Sequence, residues 1–236
     1  MVWLLYGALA RAGDLGGERM RWDVTYAGMV AGQAWAEVKV DGGTLLLSGG
    51  AKNADWYEPF YKIDDWVQST WVPGQGSLRY ETRFREGRFH QDQDMRFEES
   101  GIEVARRQLK SEGWKEWTTP YPPAPGVEDP VSALYAMRAL EGDGPWTLQV
   151  FSGKKSWPLS IEPVERATID TIFGKDTPVR VVELKSLHEG DVKQRGRFFV
   201  TLTDDERRIP VRAVIKTNIG SIKADLVSYA APTGEL

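Results

Sequence analysis

The chain has two histidines and no cysteine, so few of its side chains do chemistry readily near neutral pH. The densest set is His90-Gln91-Asp92-Gln93-Asp94. In a strand, period two puts His90, Asp92 and Asp94 on one face, a ligand set of the type that binds zinc or manganese. A hairpin about Glu86-Gly87 gives each of them a partner instead. His90 then faces Arg83, Asp92 faces Glu81 and Asp94 faces Arg79. The ion-pair reading is the stronger, and no metal or other cofactor is expected.

Asp64-Asp65 and Asp204-Asp205 are carboxylate pairs, but adjacent strand residues point to opposite faces. Neither pair forms an acid–base site by itself, and Asp204-Asp205 suits a turn. A Ser–His–Asp triad would need His90 or His188, and no Gly-x-Ser-x-Gly elbow is present. Phosphate-binding glycine loops are absent too. A glycosidase needs two carboxylates at a set separation, and 34 acidic residues leave that open. Trp35, Trp56, Trp66, Trp71, Trp114, Trp117, Trp146 and Trp157 could stack on sugars, but such residues usually pack a β domain. The expectation is a protein that is not an enzyme.

The elements that must position these residues are mostly strands. The 236 residues are 41% hydrophobic and 27% charged, ordinary for one globular domain. Ten Trp, eight Tyr and eight Phe favour strands, a lined cavity, or both. The net charge is −4, with basic and acidic residues interleaved, so no nucleic-acid stripe or polybasic membrane patch is legible. Without cysteine, disulfides and thiol catalysis are excluded.

Val2–Leu9 is a short apolar run followed by Ala10-Arg11-Ala12, which resembles the end of a signal peptide cleaved after Ala12. It is too short to span a bilayer, and no Cys follows to carry a lipid anchor. Only Met1 precedes the run; a start codon assigned too late would account for the missing basic residues. The expectation is export to the periplasm of a Gram-negative envelope, with 13–236 as a single β-rich domain.

Period-two alternation dominates that domain. Met20, Trp22, Val24 and Tyr26 share one strand face. Ala34, Ala36, Val38 and Val40 share another, and Asp41-Gly42-Gly43 turns the chain into Thr44–Ser48. Leu78–Arg85 and Arg88–Phe97 read as a hairpin in which Phe84 faces Phe89 and Leu78 faces Met95. Val179–Leu187, Arg197–Thr203, Arg208–Thr217 and Ser221–Ser228 alternate as well. One helix stands out at Val131–Glu141, with Asp129 as N-cap, Pro130 at the first helical position and Gly142 at its end. Val131, Leu134, Tyr135 and Leu140 form its apolar stripe. Thr118–Gly126, with four prolines, reads as an extended loop, and a short helical turn is expected in Ala54–Phe60.

Several stretches resemble a family of exported bacterial proteins known only as a domain of unknown function, number 3108. They are Gly17–Tyr26 followed by Gly32, Glu86-Gly87 leading to Arg96-Phe97-Glu98, Asp129–Arg138, Leu202–Arg212 and Gly220–Leu226, together spanning most of the chain. By analogy the architecture is similar to the LolA/LolB-like half-barrels of lipoprotein carriers. The resemblance implies a mainly β fold, a single curved antiparallel sheet of roughly 10–12 strands as an open or half barrel around one main helix. It carries no agreed catalytic residues. Asp204, Asp205, Arg207, Arg208 and Pro210 read as a structural hairpin corner.

Trp22, Tyr26, Tyr80, Phe84, Phe89, Phe97, Leu134 and Tyr135 are the expected cavity lining. The favoured function is holding or carrying a lipid or lipoprotein acyl chain, without nucleic acid and without spanning the membrane. The alternative is an envelope scaffold with a packed core, docking a protein partner through a sheet edge or Thr118–Gly126. A hydrolase acting on polysaccharide or lipid comes third.

Overall fold

The computed structural model describes residues 15–59, 61–186, 197–217 and 220–233. The expected signal segment, residues 1–12, and His188 lie outside the described residues. Fourteen strands are described: β1 Arg19–Tyr26, β2 Met29–Asp41, β3 Thr44–Asn53, β4 Asp64–Val72, β5 Gly76–Glu86, β6 Phe89–Glu98 and β7 Gly101–Lys110, then β8 Gly113–Tyr121, β9 Trp146–Phe151, β10 Ser156–Thr171, β11 Gly174–Ser186, β12 Arg197–Thr203, β13 Pro210–Thr217 and β14 Gly220–Ala230. The helix α1, Pro130–Ala139, lies between β8 and β9.

All strands join one antiparallel sheet in the order β8-β7-β6-β5-β4-β3-β2-β1-β14-β13-β12-β11-β10-β9. Each strand therefore neighbours the next in sequence, and β1 pairs with β14. Only the β8–β9 junction lacks a ladder, so the sheet is open rather than a closed barrel. It is nonetheless curled until its edges approach. Phe151 of β9 packs edge-to-face on Tyr121 of β8 and on Phe97 of β6, with ring centroids 5.1 and 6.0 Å away. Val127 and Glu128 fill the seam: Ser77 donates its backbone amide to Val127 (3.0 Å), and Glu128 exchanges backbone bonds with Gln149 and Phe151 (2.8 Å each).

The strand count exceeds the expected ten to twelve because 101–121 and 146–171 supply four further strands, β7 to β10. Thr118–Tyr121 belongs to β8 rather than to a loop. Pro120 is tolerated there because β8 is an edge strand, which leaves one side of its backbone unpaired. The β5–β6 hairpin also differs. Gly87, with φ 54°, takes the first turn position, where glycine belongs in a type II′ turn. Glu86 therefore faces Phe89, Arg85 faces His90, Arg83 faces Asp92, Glu81 faces Asp94 and Tyr80 faces Met95. Phe84 lies opposite Gln91, not Phe89. The slip changes the partners yet keeps every side chain on its expected face, because each pairing moves by an even step.

Concave positions of β1–β4, β13 and β14 bury Met20, Val38, Leu47, Trp71, Val211 and Leu226 against Tyr135 of the helix. A second cluster joins Ala133 and Met137 of the helix to β9–β12, and a third fills the hollow of β5–β7 with Phe151. The helix is thus a plug inside one end of the curled sheet. No described element crosses the other end, where the β1–β2, β3–β4, β5–β6 and β9–β10 connections lie.

Candidate functional site

The helix is pinned at both termini, and the pins explain why the site beside it keeps its shape. At its start, Asp129 accepts from the amides of Val131 (2.7 Å) and Ser132 (3.0 Å), and Ser132 Oγ accepts in turn from the Asp129 amide (2.9 Å). Its second carboxylate oxygen accepts from the hydroxyls of Ser69 on β4 and Ser77 on β5 (2.8 Å for Ser77). Burial pushes the Asp129 carboxyl above its ordinary range in spite of these donors. Pro130 fills the first helical turn, and the helix stops at Ala139, where Leu140 is already extended.

At its end, Arg138 donates twice to Glu18 (2.7 and 2.8 Å) and to the Arg207 carbonyl (3.1 Å). Tyr229 Oη donates to the same Glu18 carboxylate (3.2 Å). The corner that supplies the Arg207 carbonyl is a turn held by Asp205, which accepts from the amides of Arg207 and Arg208 (3.2 Å each) and from Thr203 Oγ1 (2.7 Å). Asp204 pairs instead with Arg180 and Arg166 (3.1 and 3.2 Å). Pro210 opens β13, and its carbonyl accepts from the Trp22 indole (2.8 Å).

Between this fixed helix and the sheet lies a cavity of about 370 Å³, partly open to solvent. Val131, Leu134, Tyr135, Met137 and Arg138 form its floor. Its walls come from one continuous arc of the sheet, β4-β3-β2-β1-β14-β13-β12. The hollow exists because side chains there are small. Ala34, Ala36, Gly49, Ala51, Ala213 and Ala224 all line it, and the register sets them in two concave patches. Ala34 is opposite Ala51, Ala36 is opposite Gly49, and Ala213 is opposite Ala224. Farther down the same face of β2, Val38 and Val40 pair with Leu47 and Leu45 and close the core. The size falls within the range of small-molecule pockets, about 300–1,000 Å³.

The charged residues on the wall are engaged. Asp65 accepts from the Arg85 amide (2.8 Å), Arg212 pairs with Asp225 (2.5 Å), and Arg138 holds Glu18. Burial, then the neighbouring Asp65 carboxylate, push the Glu86 carboxyl above its ordinary range. Tyr135 is buried in the floor, with no hydrogen-bond partner for its hydroxyl.

Of the residues read as cavity lining, Trp22, Leu134 and Tyr135 line this space. Tyr80 and Phe97 pack with Phe151 in the third core cluster. Tyr26 lies at the open end of β1, opposite Met29 and Ile222. Phe84 and Phe89 stand beside the β5–β6 turn, and Phe89 is exposed. The small residues carry no bulk or charge to mark them as lining. The available signal was a run of Ala and Gly at alternate strand positions.

The His90 face carries ion pairs: Arg79 with Asp94 (2.8 Å) and Arg85 with Asp92 (2.6 Å). Among the described residues no group of three or more His, Asp or Glu is placed to hold a metal. No described helix is long and apolar enough to cross a membrane.

The family model described as Protein of unknown function (DUF3108) matches residues 21–227. No curated protein matches the chain. Among solved structures, the chain is similar to a β-barrel-like protein of domain of unknown function DUF1849 from Brucella abortus. That alignment has a TM-score of 0.63 at 12% identity and covers 93% of this chain and 99% of the other. A hypothetical protein from Chlamydia trachomatis aligns at a TM-score of 0.38 and 9% identity, over 92% of this chain and 87% of the other.

Proposed function

The chain belongs to the DUF3108 family of proteins of unknown function, and from that premise we propose that it holds the acyl chain of a lipid or lipoprotein in the cavity over α1. We place this role in the periplasm of a Gram-negative envelope and regard it as non-enzymatic. One observation carries the reading: a hollow walled by Ala34, Ala36, Gly49, Ala51, Ala213 and Ala224 over a rigidly pinned helix. An occupant of matching chemistry takes that apolar wall out of water. Each CH₂ withdrawn from water contributes about 0.8 kcal/mol, so an alkyl chain is held without any reacting group. The pairing of Asp65, Arg138 and Arg212 with protein partners supports holding over catalysis.

The test is native mass spectrometry with lipid extraction on protein purified from a Gram-negative periplasm. A co-purifying acyl species at a defined stoichiometry is expected. A bare polypeptide mass under conditions that preserve known lipid complexes would overturn the reading. A second reading, docking to an envelope protein, draws on the edge strand β8, where Trp114 and Trp117 are exposed. Cross-linking from Trp117→Cys, with capture of one defined partner, would favour it.

A further inference from the structure

Resting on that reading, we propose that the open end of the curled sheet docks on an anionic lipid bilayer, so that the cavity faces the membrane it exchanges acyl chains with. Two independent features of that end point to this. The first is apolar. Met29 and Val30 at the start of β2, Trp56 and Tyr61 in the β3–β4 connection, and Ile215 and Ile222 on β13 and β14 are all exposed. They do not stand singly. Met29 is opposite Tyr26, Tyr26 opposite Ile222, Ile222 opposite Ile215, and Ile215 opposite Phe198. Phe198 lines the cavity, so one cross-strand apolar row runs from the rim to the binding space. Contiguous exposed apolar surface of this kind marks an interaction site.

The second feature is charge. Lys52, Arg88, Lys154, Lys155 and Lys216 are exposed at the open end. Of the acidic residues there, Glu58 and Glu112 are paired with Lys62 and Lys115, while Asp55 and Asp64 are exposed and Asp64 lies opposite Lys52. The opposite end carries exposed Asp41, Glu98, Glu99, Asp176 and Glu206, with Lys175 and Arg207 among them, and Asp143 paired with Arg166 (2.6 Å). Among the described residues the exposed charges of the open end are thus mainly basic and those of the opposite end mainly acidic, in a chain of net charge −4, an asymmetry assembled from strand turns far apart in sequence. Basic residues near an anionic leaflet attract it, and Trp and Tyr favour the bilayer interface. A membrane surface satisfies both features together.

The test is flotation of the full chain with vesicles containing phosphatidylglycerol, against phosphatidylcholine vesicles. Preferential binding to the anionic vesicles is expected, weakening as salt is raised and the charges are screened. Lys154→Glu with Lys155→Glu, both in an exposed turn, should lower binding by roughly fivefold per charge. Met29→Asp with Ile222→Asp should abolish it. Both variants should still bind a free fluorescent fatty acid, whereas a cavity-filling Ala213→Phe should lose the fatty acid and keep the vesicles. No flotation, or equal flotation on both vesicle types that ignores the lysine changes, would overturn the docking proposal while leaving the cavity reading to its own test. Vesicle binding without fatty-acid binding would support docking and overturn the cavity reading.

Discussion

Glu18 and Arg138, 120 residues apart, form a bidentate ion pair of 2.7 and 2.8 Å with both side chains almost wholly buried. It ties the entry to β1 to the last turn of α1, and the Arg207 carbonyl draws in the β12–β13 corner. Three of the stretches that carry the family resemblance therefore meet at one point. Their shared task is to fix the plug at the closed end, away from the cavity mouth.

Breaking that pair by Glu18→Gln strands a buried guanidinium and should cost about 3–5 kcal/mol in urea unfolding. Replacing both partners by apolar residues, Glu18→Leu with Arg138→Met, should recover much of the loss. If the double variant is no more stable than Glu18→Gln, the pair contributes more than mutual neutralisation.

The other end of the helix makes a matching prediction. Asp129→Ala removes the N-cap and leaves the Ser69 and Ser77 hydroxyls without their buried acceptor. The expected destabilisation is about 2–4 kcal/mol. Ser77→Ala, which removes one donor and keeps the cap, should cost clearly less. Equal losses would show that the cap itself matters little.

How far this was legible depends on the length scale of each cause. The cap at Asp129-Pro130 was readable because capping is local chemistry, decided by adjacent residues. The faces of the β5–β6 hairpin were readable from alternation. Its register was not, because the turn type depends on whether Gly87 takes the first or second place. Pro120 concealed β8, since only the sheet order reveals that it sits on an edge. The cavity was the least visible. Ala36 and Ala213 are 177 positions apart, and a void is made by what several strands lack together. The basic rim escaped for the same reason: its lysines are interleaved with acids along the chain and segregate only once the strands alternate direction.

Glu128, in the seam between β5 and β9, sets a pH signature. Burial pushes its carboxyl up to about 6, and its Oε2 has no hydrogen-bond partner. A folded-state value above the unfolded one means that the native state binds the proton more tightly. The native fold is thus favoured below about pH 4.5, and this contribution is lost as pH rises through about 6. Glu128→Gln should stabilise the protein by about 1–2 kcal/mol at pH 7 and leave it almost unchanged at pH 4. A variant destabilised at pH 7 would show that the charge is needed where it stands.

The hollow lined by Ala34, Ala36, Gly49, Ala51, Ala213 and Ala224 is where the alkyl chain would sit, and filling it is the most direct probe. Ala213→Phe, with Ala34→Leu as an independent filling variant, places carbon where the alkyl chain would lie. Titration of a fluorescent fatty acid into delipidated protein should give saturable one-to-one binding for the natural chain. The filled variants should bind at least about tenfold more weakly, with thermal unfolding midpoints no lower than the parent's. Saturable binding that survives both substitutions, or no binding to the delipidated parent, would contradict the account.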